Sequence, residues 1–251
     1  MPQPEIVQHQ ERDYLRVLDA DPALLAAIPA ERREPVRQRL LAPTAFVEPG
    51  PWTADELSDP DALGLLVTEG LLTRNVQVAG TMSREILGAG DILRPWDDET
   101  TLKPLLSETS WTVIESTRFA LLDERFRLVA GRWPELGTEI LHRVLRRSRW
   151  LAVILAIANL RGVEDRVFLL LWHLAGIWGR VTASGTLVPF GLTHGLIADL
   201  VGARRPSVST AIAELEREGR VERVHDGWLL RADPPESGGC GRDRPRGREG
   251  R

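Results

Sequence analysis

A short run of hydrogen-bonding side chains in the last third of the chain has the clearest chemical potential. Arg204 and Arg205 are adjacent, and three hydroxyl side chains follow them closely, Ser207, Ser209 and Thr210. A guanidinium offers N–H donors in a planar fork, which matches the two acceptors of a phosphate or of a guanine edge. Hydroxyl groups can donate or accept at the same kind of surface. The cluster therefore suits contact with a nucleic acid better than it suits catalysis.

Residue types that catalyse reactions or hold metals are scattered along the sequence. The five histidines show no metal-ligand spacing, and neither a Ser/His/Asp arrangement nor a glycine-rich phosphate loop is visible. The single cysteine, Cys240, cannot form an intramolecular disulfide or a cysteine-based metal centre. The acidic run Asp97-Asp98-Glu99 could hold a metal or form a solvated turn, and the turn is the favoured reading. We therefore expect no enzymatic activity, no metal and no cofactor.

Two helices joined by a tight turn are predicted to position the arginine pair. Thr193 is suited to cap the first helix, and Gly202 to supply the turn that follows it. The second helix is predicted to begin near Arg205, because Pro206 fits a first turn, where its missing N–H removes no helical hydrogen bond. Apolar residues at helical spacing predict the buried side of this helix: Val208, Ile212 and Leu215.

A β-hairpin is predicted to follow the second helix. Glu218-Gly219 is typical of a helix end, and Asp226-Gly227 is a strong hairpin signal. Helix, turn, helix and hairpin in this order, over residues 192–231, predict a winged helix-turn-helix, which places its second helix in the major groove of DNA. Arg223 or His225 in the hairpin could add a phosphate contact. A winged helix that binds protein is the alternative, and the arginine pair favours DNA.

The segment Leu192-Thr-His-Gly-Leu-Ile-Ala-Asp-Leu-Val-Gly-Ala-Arg-Arg-Pro-Ser-Val-Ser resembles the helix-turn-helix of the Crp/Fnr superfamily, the relatives of the cyclic-AMP receptor protein. The resemblance implies that Arg205 reads a guanine edge and that Thr193 contacts phosphate. Pro206 stands where many members have a base-reading glutamate, so that contact is lost. Arg204 replaces a small polar residue and is expected to contact phosphate or a flanking base. Further base or phosphate contacts are expected from Ser207, Ser209 and Thr210.

The order of helix-like and strand-like segments along the chain predicts an α+β protein. Residues 1–30 are expected to form a helical extension. Over 31–130, Pro and Gly recur between short apolar runs, which predicts a sandwich or barrel, and the resemblance implies a β-roll like that of cyclic-nucleotide-binding domains. We expect a long dimerisation helix over 131–160, the winged helix-turn-helix domain over 161–231, and a disordered tail over 232–251.

The long helix carries a stripe of side chains at three- and four-residue spacing, which is typical of a helix that pairs with its twin. A helix packed only on its own β-domain is the alternative. Within it, Arg146-Arg147-Ser148-Arg149 is expected to be a solvated face. The residues predicted to form the dimer contact are Leu136, Ile140, Val144, Leu151, Ile154 and Ala158.

The predicted β-roll departs from the pattern of family members that bind cyclic nucleotides, which use a Gly-Glu-Leu loop and an Arg-Ser or Arg-Thr pair. Gly90-Asp91-Ile92 resembles the turn before that loop, but Pro95 stands in place of the glutamate and Glu108 lies near the arginine position. A buried carboxylate there would repel a phosphate, although Arg94 could supply a contact. We expect no control by cyclic AMP or cyclic GMP; a conventional cyclic-nucleotide sensor is the alternative.

A net charge of −4 argues against a purely electrostatic binder of nucleic acid. Residues 161–231 carry nine basic and eight acidic side chains, so DNA affinity must come from where the arginines lie. With no secretory signal or membrane-spanning run, a cytoplasmic location is expected. The expected protein is a homodimeric transcription regulator that binds double-stranded DNA and meets RNA polymerase. Its β-roll would sense an atypical ligand or protein, or have lost ligand control; action mainly through a partner protein is an alternative.

Overall fold

The computed structural model describes residues 13–97, 107–225 and 227–233. The chain divides into two compact units, Met1–Ala152 and Val153–Arg251, and one long helix crosses the division. The helices are α1 (Val17–Ala20), α2 (Pro22–Ala27), α3 (Arg33–Arg39), α4 (Glu124–Ala130), α5 (Pro134–Ala158), α6 (Val163–Trp178), α7 (His194–Val201) and α8 (Arg205–Arg217). The strands are β1 (Tyr14–Arg16), β2 (Leu41–Val47), β3 (Gly50–Trp52), β4 (Gly64–Val78), β5 (Thr81–Gly88), β6 (Ile92–Leu93), β7 (Ser107–Leu122), β8 (Arg180–Thr182), β9 (Gly185–Val188), β10 (Val221–Val224) and β11 (Gly227–Leu230).

An antiparallel sheet with strand order β1-β2-β7-β4-β5 forms the framework of the N-terminal unit. Its central pair is β4 with β7, which runs from Gly64 opposite Leu122 to Val78 opposite Ser107. The register shifts near Gly70, whose φ is +90°. A Cβ at that position would lie 2.3 Å from the Ser116 carbonyl oxygen, so only glycine lets the two backbones approach this closely.

The two faces of this sheet support separate apolar cores. In one core the ring of Trp52 stacks on that of Phe119 at 5.1 Å, and Trp111 meets Trp52 edge-on at 6.3 Å. The fully or almost fully buried members of this core are Val47, Trp52, Ala54, Leu65, Val67, Leu72, Leu87, Leu93, Val113 and Phe119. The other core joins the short helices to the start of α5 through Val17, Leu18, Leu24, Ile28, Val36, Leu40, Phe126, Trp133 and Leu136.

Two arginines one turn apart fix α5 to the N-terminal unit. Arg143 donates to both carboxylate oxygens of Asp21, at 2.5 and 2.8 Å, and to the Gly90 carbonyl oxygen at 2.9 Å. Arg147 holds both oxygens of Glu85, at 2.5 and 2.8 Å. Burial disfavours the charged form of Arg143, but Asp21 and Glu139 outweigh that effect, so the pKa of Arg143 lies above its ordinary value. Arg147 was predicted to be solvated, and that prediction is wrong.

The predicted dimer stripe on α5 needs correction for the same reason. Leu136 is buried in the core of its own unit, so it offers no surface to a second chain, and Ile140 is half-buried and packs against that core. Ile154 and Ala158 are half-buried. Val144 and Leu151 are 57% and 39% exposed. Arginines occupy part of the inner side of α5. Its exposed, uncharged face keeps Val144 and Leu151 of the predicted stripe and adds Leu141, Leu145, Ser148 and Ala152.

The first described element of the chain is a strand. Within the helical extension predicted over residues 1–30, Tyr14–Arg16 instead pairs with β2, and helices follow from Val17. Without this segment β2 would be an edge strand with unpaired backbone groups. The segment supplies partners for them, as where the Thr44 N–H donates to the Asp13 carbonyl oxygen at 2.8 Å, and this pairing favours a strand over a helix. After Asp21 the chain turns into α2, whose first N–H groups donate to the Asp21 carboxylate. This strand makes the segment part of the main sheet.

The C-terminal unit packs the buried side of α6 against a helix-turn-helix and a four-stranded sheet of order β10-β11-β9-β8. Helix α6 contributes Val167, Phe168, Leu170, Leu171 and Leu174 to the core. Among the described helices, none is long and apolar enough to cross a membrane. Cys240 and the predicted tail from residue 234 onward lie outside the described residues, as do Asp98 and Glu99.

Candidate nucleic-acid interface

The local sequence determines the turn between α7 and α8. The Thr193 hydroxyl accepts the Leu196 N–H at 3.2 Å and caps α7. Gly202 ends α7 in the left-handed region, with φ +62° and ψ +44°, where a residue with a Cβ is disfavoured. Arg204 then precedes α8 in an extended conformation, and Pro206 lies in the first turn. The predicted helix-turn-helix is therefore confirmed in its elements, and its second helix begins at Arg205 as predicted.

One side of α8 is buried and the other faces solvent. Val208, Ile212 and Leu215 are buried, as predicted from their spacing, and Ala211 joins them. Arg205, Pro206 and Thr210 are exposed on the other side. This exposed surface begins at the N-terminal end of α8, where the helix dipole is positive and favours an anion such as phosphate.

The arginines at the start of α8 differ from most others in this unit. Three arginines are bound to carboxylates: Arg217 to Glu214, Arg220 to Glu164 and Arg231 to Glu222. Arg166 and Arg223 donate to backbone carbonyl oxygens. Arg204 and Arg205 are exposed, and within the part of the chain that the structure describes neither has a hydrogen-bond or ion-pair partner. Both guanidinium groups are therefore available to an external acceptor.

The hydroxyl groups predicted to contact DNA are in different states. Thr193 accepts a backbone N–H and keeps its own proton, which it can donate to a phosphate. Thr210 donates to the Pro206 carbonyl at 3.1 Å, so its remaining capacity is to accept. Ser209 is half-buried, and its Oγ lies 3.0 Å from Nδ1 of His194. Ser207 is exposed.

The hairpin of β10 and β11 forms the wing, with Val221 opposite Leu230 and Val224 opposite Gly227. Asp226, in its predicted turn, lies outside the described residues. The Arg223 guanidinium lies 5.0 Å from the centre of the buried Trp228 ring and donates to the Leu192 carbonyl oxygen at 3.3 Å. Arg223 thus connects the wing to the start of the helix-turn-helix, a role that the sequence did not indicate.

The turn at Gly90-Asp91-Ile92 and the start of the loop after it are held by contacts within the chain. Asp91 accepts the Gly88 N–H at 2.9 Å, and burial raises the pKa of its carboxyl group to about 6. Arg94 donates to Asp97 at 2.7 Å and to two backbone carbonyl oxygens, those of Pro60 and Ala62. Its guanidinium is therefore already engaged. Glu108 is exposed on β7, so the predicted repulsion of a phosphate by a buried carboxylate loses its basis. No metal-ligand cluster occurs among the residues described.

Comparison with known families identifies the C-terminal region. Residues 165–235 match the family model of the Crp-like helix-turn-helix domain. This match confirms the resemblance that the sequence showed at 192–209. No curated protein sequence matches the chain.

Comparison with solved structures identifies the fold over most of the chain. A cyclic nucleotide-binding domain containing protein from Listeria monocytogenes EGD-e matches with a TM-score of 0.60 and 15% identity, over 85% of this chain and 97% of that one. A CooA mutant from Carboxydothermus hydrogenoformans gives 0.58 and 18%, over 87% and 91%. FixK2 from Bradyrhizobium japonicum gives 0.57 and 16%, over 76% and 93%. The predicted α+β architecture is confirmed at the level of the fold.

Proposed function

We propose that this chain, which carries a Crp-like helix-turn-helix domain and has the fold of Crp/Fnr-type regulators, is a homodimeric transcription regulator that binds a palindromic DNA site. Its β-roll does not use cyclic AMP or cyclic GMP. It works in the cytoplasm and meets RNA polymerase at the promoters that it controls. The β-roll either senses another ligand or protein or has lost ligand control.

One observation carries the DNA-binding part of this proposal. Arg204 and Arg205 stand exposed at the positive end of α8, whereas five other arginines of the same unit are bound to carboxylates or carbonyl oxygens: Arg166, Arg217, Arg220, Arg223 and Arg231. Burying or neutralising an arginine pair would be the expected arrangement if these residues stabilised the fold. Leaving both guanidinium groups exposed at a helix N-terminus suits the binding of a polyanion.

The exposed face of α5 supports a second copy of the chain as the dimer partner. Leu141, Val144, Leu145, Leu151 and Ala152 recur at three- and four-residue spacing. Ser148 completes the stripe, which carries no charge. A self-complementary apolar stripe is the surface that two-fold symmetric helix pairs use. Two α8 helices would then enter successive major grooves about 34 Å apart.

The interior of the β-roll supports the proposal that cyclic nucleotides are not the effector. Trp52 and Phe119, both buried, stack on each other in the core beneath the sheet. The guanidinium of Arg94 is engaged by Asp97 and by backbone carbonyl oxygens, and Pro95 cannot hydrogen-bond a ribose hydroxyl through its side chain. Among the described residues of this loop, Arg94 and Pro95 do not fit a cyclic nucleotide bound through an acidic side chain and an arginine.

Selection from a random duplex library, followed by footprinting, tests the proposed DNA binding. We expect the full-length protein to enrich a site with two inverted half-sites whose centres lie one helical turn apart. Mapping of bound DNA across the genome would place the same site at promoters. Uniform recovery of all sequences would contradict the proposal.

Sedimentation velocity tests the dimer. Val144→Glu and Leu151→Glu place a charge on the exposed stripe and are expected to yield monomers that remain folded by circular dichroism. Arg149→Glu, on the same helix and outside the stripe, is the matched control and should leave the dimer intact. A dimer that survives both stripe variants would show that another surface holds it together.

Calorimetric titration tests the β-roll. Neither cyclic AMP nor cyclic GMP should produce heat of binding, and neither should change the affinity for the selected DNA site. Binding of either nucleotide in the micromolar range would restore the conventional sensor as the correct reading.

A further inference from the structure

One contact near the arginine pair connects the two helices of the helix-turn-helix through side chains. Nδ1 of His194, the first residue of α7, lies 3.0 Å from Oγ of Ser209 in α8. Ser209 is four residues after Arg205, so the two side chains lie one turn apart on neighbouring positions of the same helix surface. The contact therefore connects the first residue of α7 to the side of α8 that carries Arg205.

The wing limits how the His194 ring can move. The centre of the Trp228 ring lies 6.2 Å from that of His194, and Trp228 is fully buried. Arg223 lies over the same Trp228 ring and donates to the carbonyl of Leu192, two residues before His194. The imidazole is thus placed between α8 and the wing, which favours one orientation of Nδ1 towards Ser209.

A serine hydroxyl has a single proton, so its partner decides what it can offer to a third group. If Nδ1 of His194 accepts, the Ser209 proton is used, and Ser209 can only accept from DNA. A neutral imidazole carries its proton preferentially on Nε2, which leaves Nδ1 as the acceptor. In the major groove the amino groups that such an oxygen can accept from belong to adenine N6 and cytosine N4.

We infer that His194 is a specificity-determining residue: by accepting the Ser209 proton, it makes Ser209 an acceptor that selects adenine or cytosine at one base of the site. The inference rests on the proposed function, because it needs α8 in the major groove. His194 acts here as a positioning residue for Ser209, and it is distinct from a residue that binds phosphate itself. Without it the Ser209 hydroxyl rotates freely and can donate to guanine or thymine as well as accept.

Site selection with the full-length protein and a random duplex DNA library tests this inference. His194→Ala is expected to reduce the preference for adenine or cytosine at one position about two- to tenfold, the range of a single net hydrogen bond. The preference at the base read by Arg205 should persist. His194→Asn, whose Oδ1 can take the place of Nδ1, should retain the selected base. His194→Gln, whose amide matches the position of Nε2, should lose it.

Combining the variants separates action through Ser209 from direct contact with DNA. Ser209→Ala should lose the same preference, and adding His194→Ala to it should change nothing further. Ser184→Ala is the matched control, since that serine lies in the turn between β8 and β9, outside the helix-turn-helix. Its selected base at the Ser209 position should match that of the wild type. Circular dichroism and thermal unfolding check that each variant is folded.

Three outcomes would overturn the inference. An equal loss of affinity for all sequences in His194→Ala, with a weaker salt dependence, would show a phosphate contact. An effect of His194→Ala that persists in the Ser209→Ala background would show that Ser209 is not involved. If the wild type selects a clear site and His194→Ala shows the same base preferences, His194 has no role in specificity, and the proposed DNA binding is unaffected. A wild type that selects no site would instead contradict the proposed function itself.

Discussion

Two pairs of arginines in this molecule have opposite surroundings. Arg143 and Arg147 on α5 are largely buried, and each holds a carboxylate with two hydrogen bonds. Arg204 and Arg205 at the start of α8 are exposed and have no partner among the described residues. The side chains are chemically identical, and the first pair joins elements of one chain while the second is available to another molecule.

The comparison shows that partners, and not residue type, decide what an arginine does. Asp21 lies 122 positions before Arg143 in the chain, and Glu85 lies 62 positions before Arg147. A buried charge whose partner is removed costs several kcal/mol, whereas an exposed one costs little. The two pairs should therefore respond to mutation in opposite ways: stability for the first, DNA binding for the second.

The largest effect is expected for Arg143. Arg143→Met leaves the Asp21 carboxylate buried and unpaired, so we expect the free energy of unfolding in urea to fall by about 3–5 kcal/mol. The double variant Arg143→Met, Asp21→Asn should recover a large part of this loss, because no unpaired charge remains and Asn can still cap α2. Arg146→Met, an exposed neighbour paired with Glu139, should cost no more than about 1 kcal/mol. Equal losses for the two single variants would break the comparison.

Asp91 should make stability depend on pH, because it lies beside the α5 arginines and its pKa is raised to about 6 by burial. Since the folded chain holds this proton more tightly than an unfolded one with a pKa of about 3.9, stability is lost as pH rises from about 4 to 6. For this group alone the change is up to about 3 kcal/mol. Unfolding curves of wild type and Asp91→Asn between pH 4.5 and 7.5 isolate it, since Asn does not titrate there.

The difference in free energy of unfolding between wild type and Asp91→Asn should grow as the pH rises to about 6 and level off above that pH. Parallel curves would show that Asp91 stays charged throughout and that the arginines around it compensate its burial completely.

For Arg205 the expected effect is on recognition and not on stability. Arg205→Ala should remove about 1–3 kcal/mol of discrimination at one base pair, measured as the ratio of affinities for the selected site and its single-base variants. The free energy of unfolding should change by less than about 0.5 kcal/mol. Arg217→Ala is the matched control, because that side chain is on the same helix but is bound to Glu214. A stability loss in Arg205→Ala comparable to that in Arg143→Met would contradict the distinction between the pairs.

The smallest effect is expected for Arg204, which is predicted to contact phosphate. Arg204→Ala should weaken binding to all sequences alike and reduce the slope of log affinity against log salt by about one. Affinities measured at several salt concentrations by fluorescence anisotropy give this slope. A selective loss at one base with an unchanged slope would assign Arg204 to a flanking base instead.

Local signals explain why the helix-turn-helix was predictable. Thr193, Gly202 and Pro206 act within a few residues of themselves, by capping, turning and starting a helix, so their effects can be inferred from neighbouring sequence. The spacing of Val208, Ile212 and Leu215 likewise shows which side of α8 is buried. The base and phosphate contacts assigned to these residues stay predictions.

Long-range pairing explains what the sequence did not reveal. Only Val144 and Leu151 of the predicted stripe lie on the exposed face of α5. The prediction assumed that apolar residues define one surface, whereas Arg143 and Arg147 occupy part of the inner side. The four-residue spacing of Arg143 and Arg147 places both on one side of α5. It was the available signal that this side binds acidic residues distant in the sequence. The contact of His194 with Ser209 was also missed, since no spacing rule relates two helices across a turn.

The pairing of β4 with β7 has a consequence for how the chain folds during synthesis. Gly64 must meet Leu122 and Val78 must meet Ser107, so β4 emerges from the ribosome well before its partner. Until β7 is made, β4 can pair only with β5 and β6, and Leu65, Leu66 and Leu72, all buried in the finished protein, lack the cores that later segments complete. Contacts between distant segments form slowly, and exposed apolar strands aggregate. The N-terminal unit therefore leaves apolar strands uncovered for longer during synthesis than the C-terminal unit, whose packed helices lie closer together in sequence.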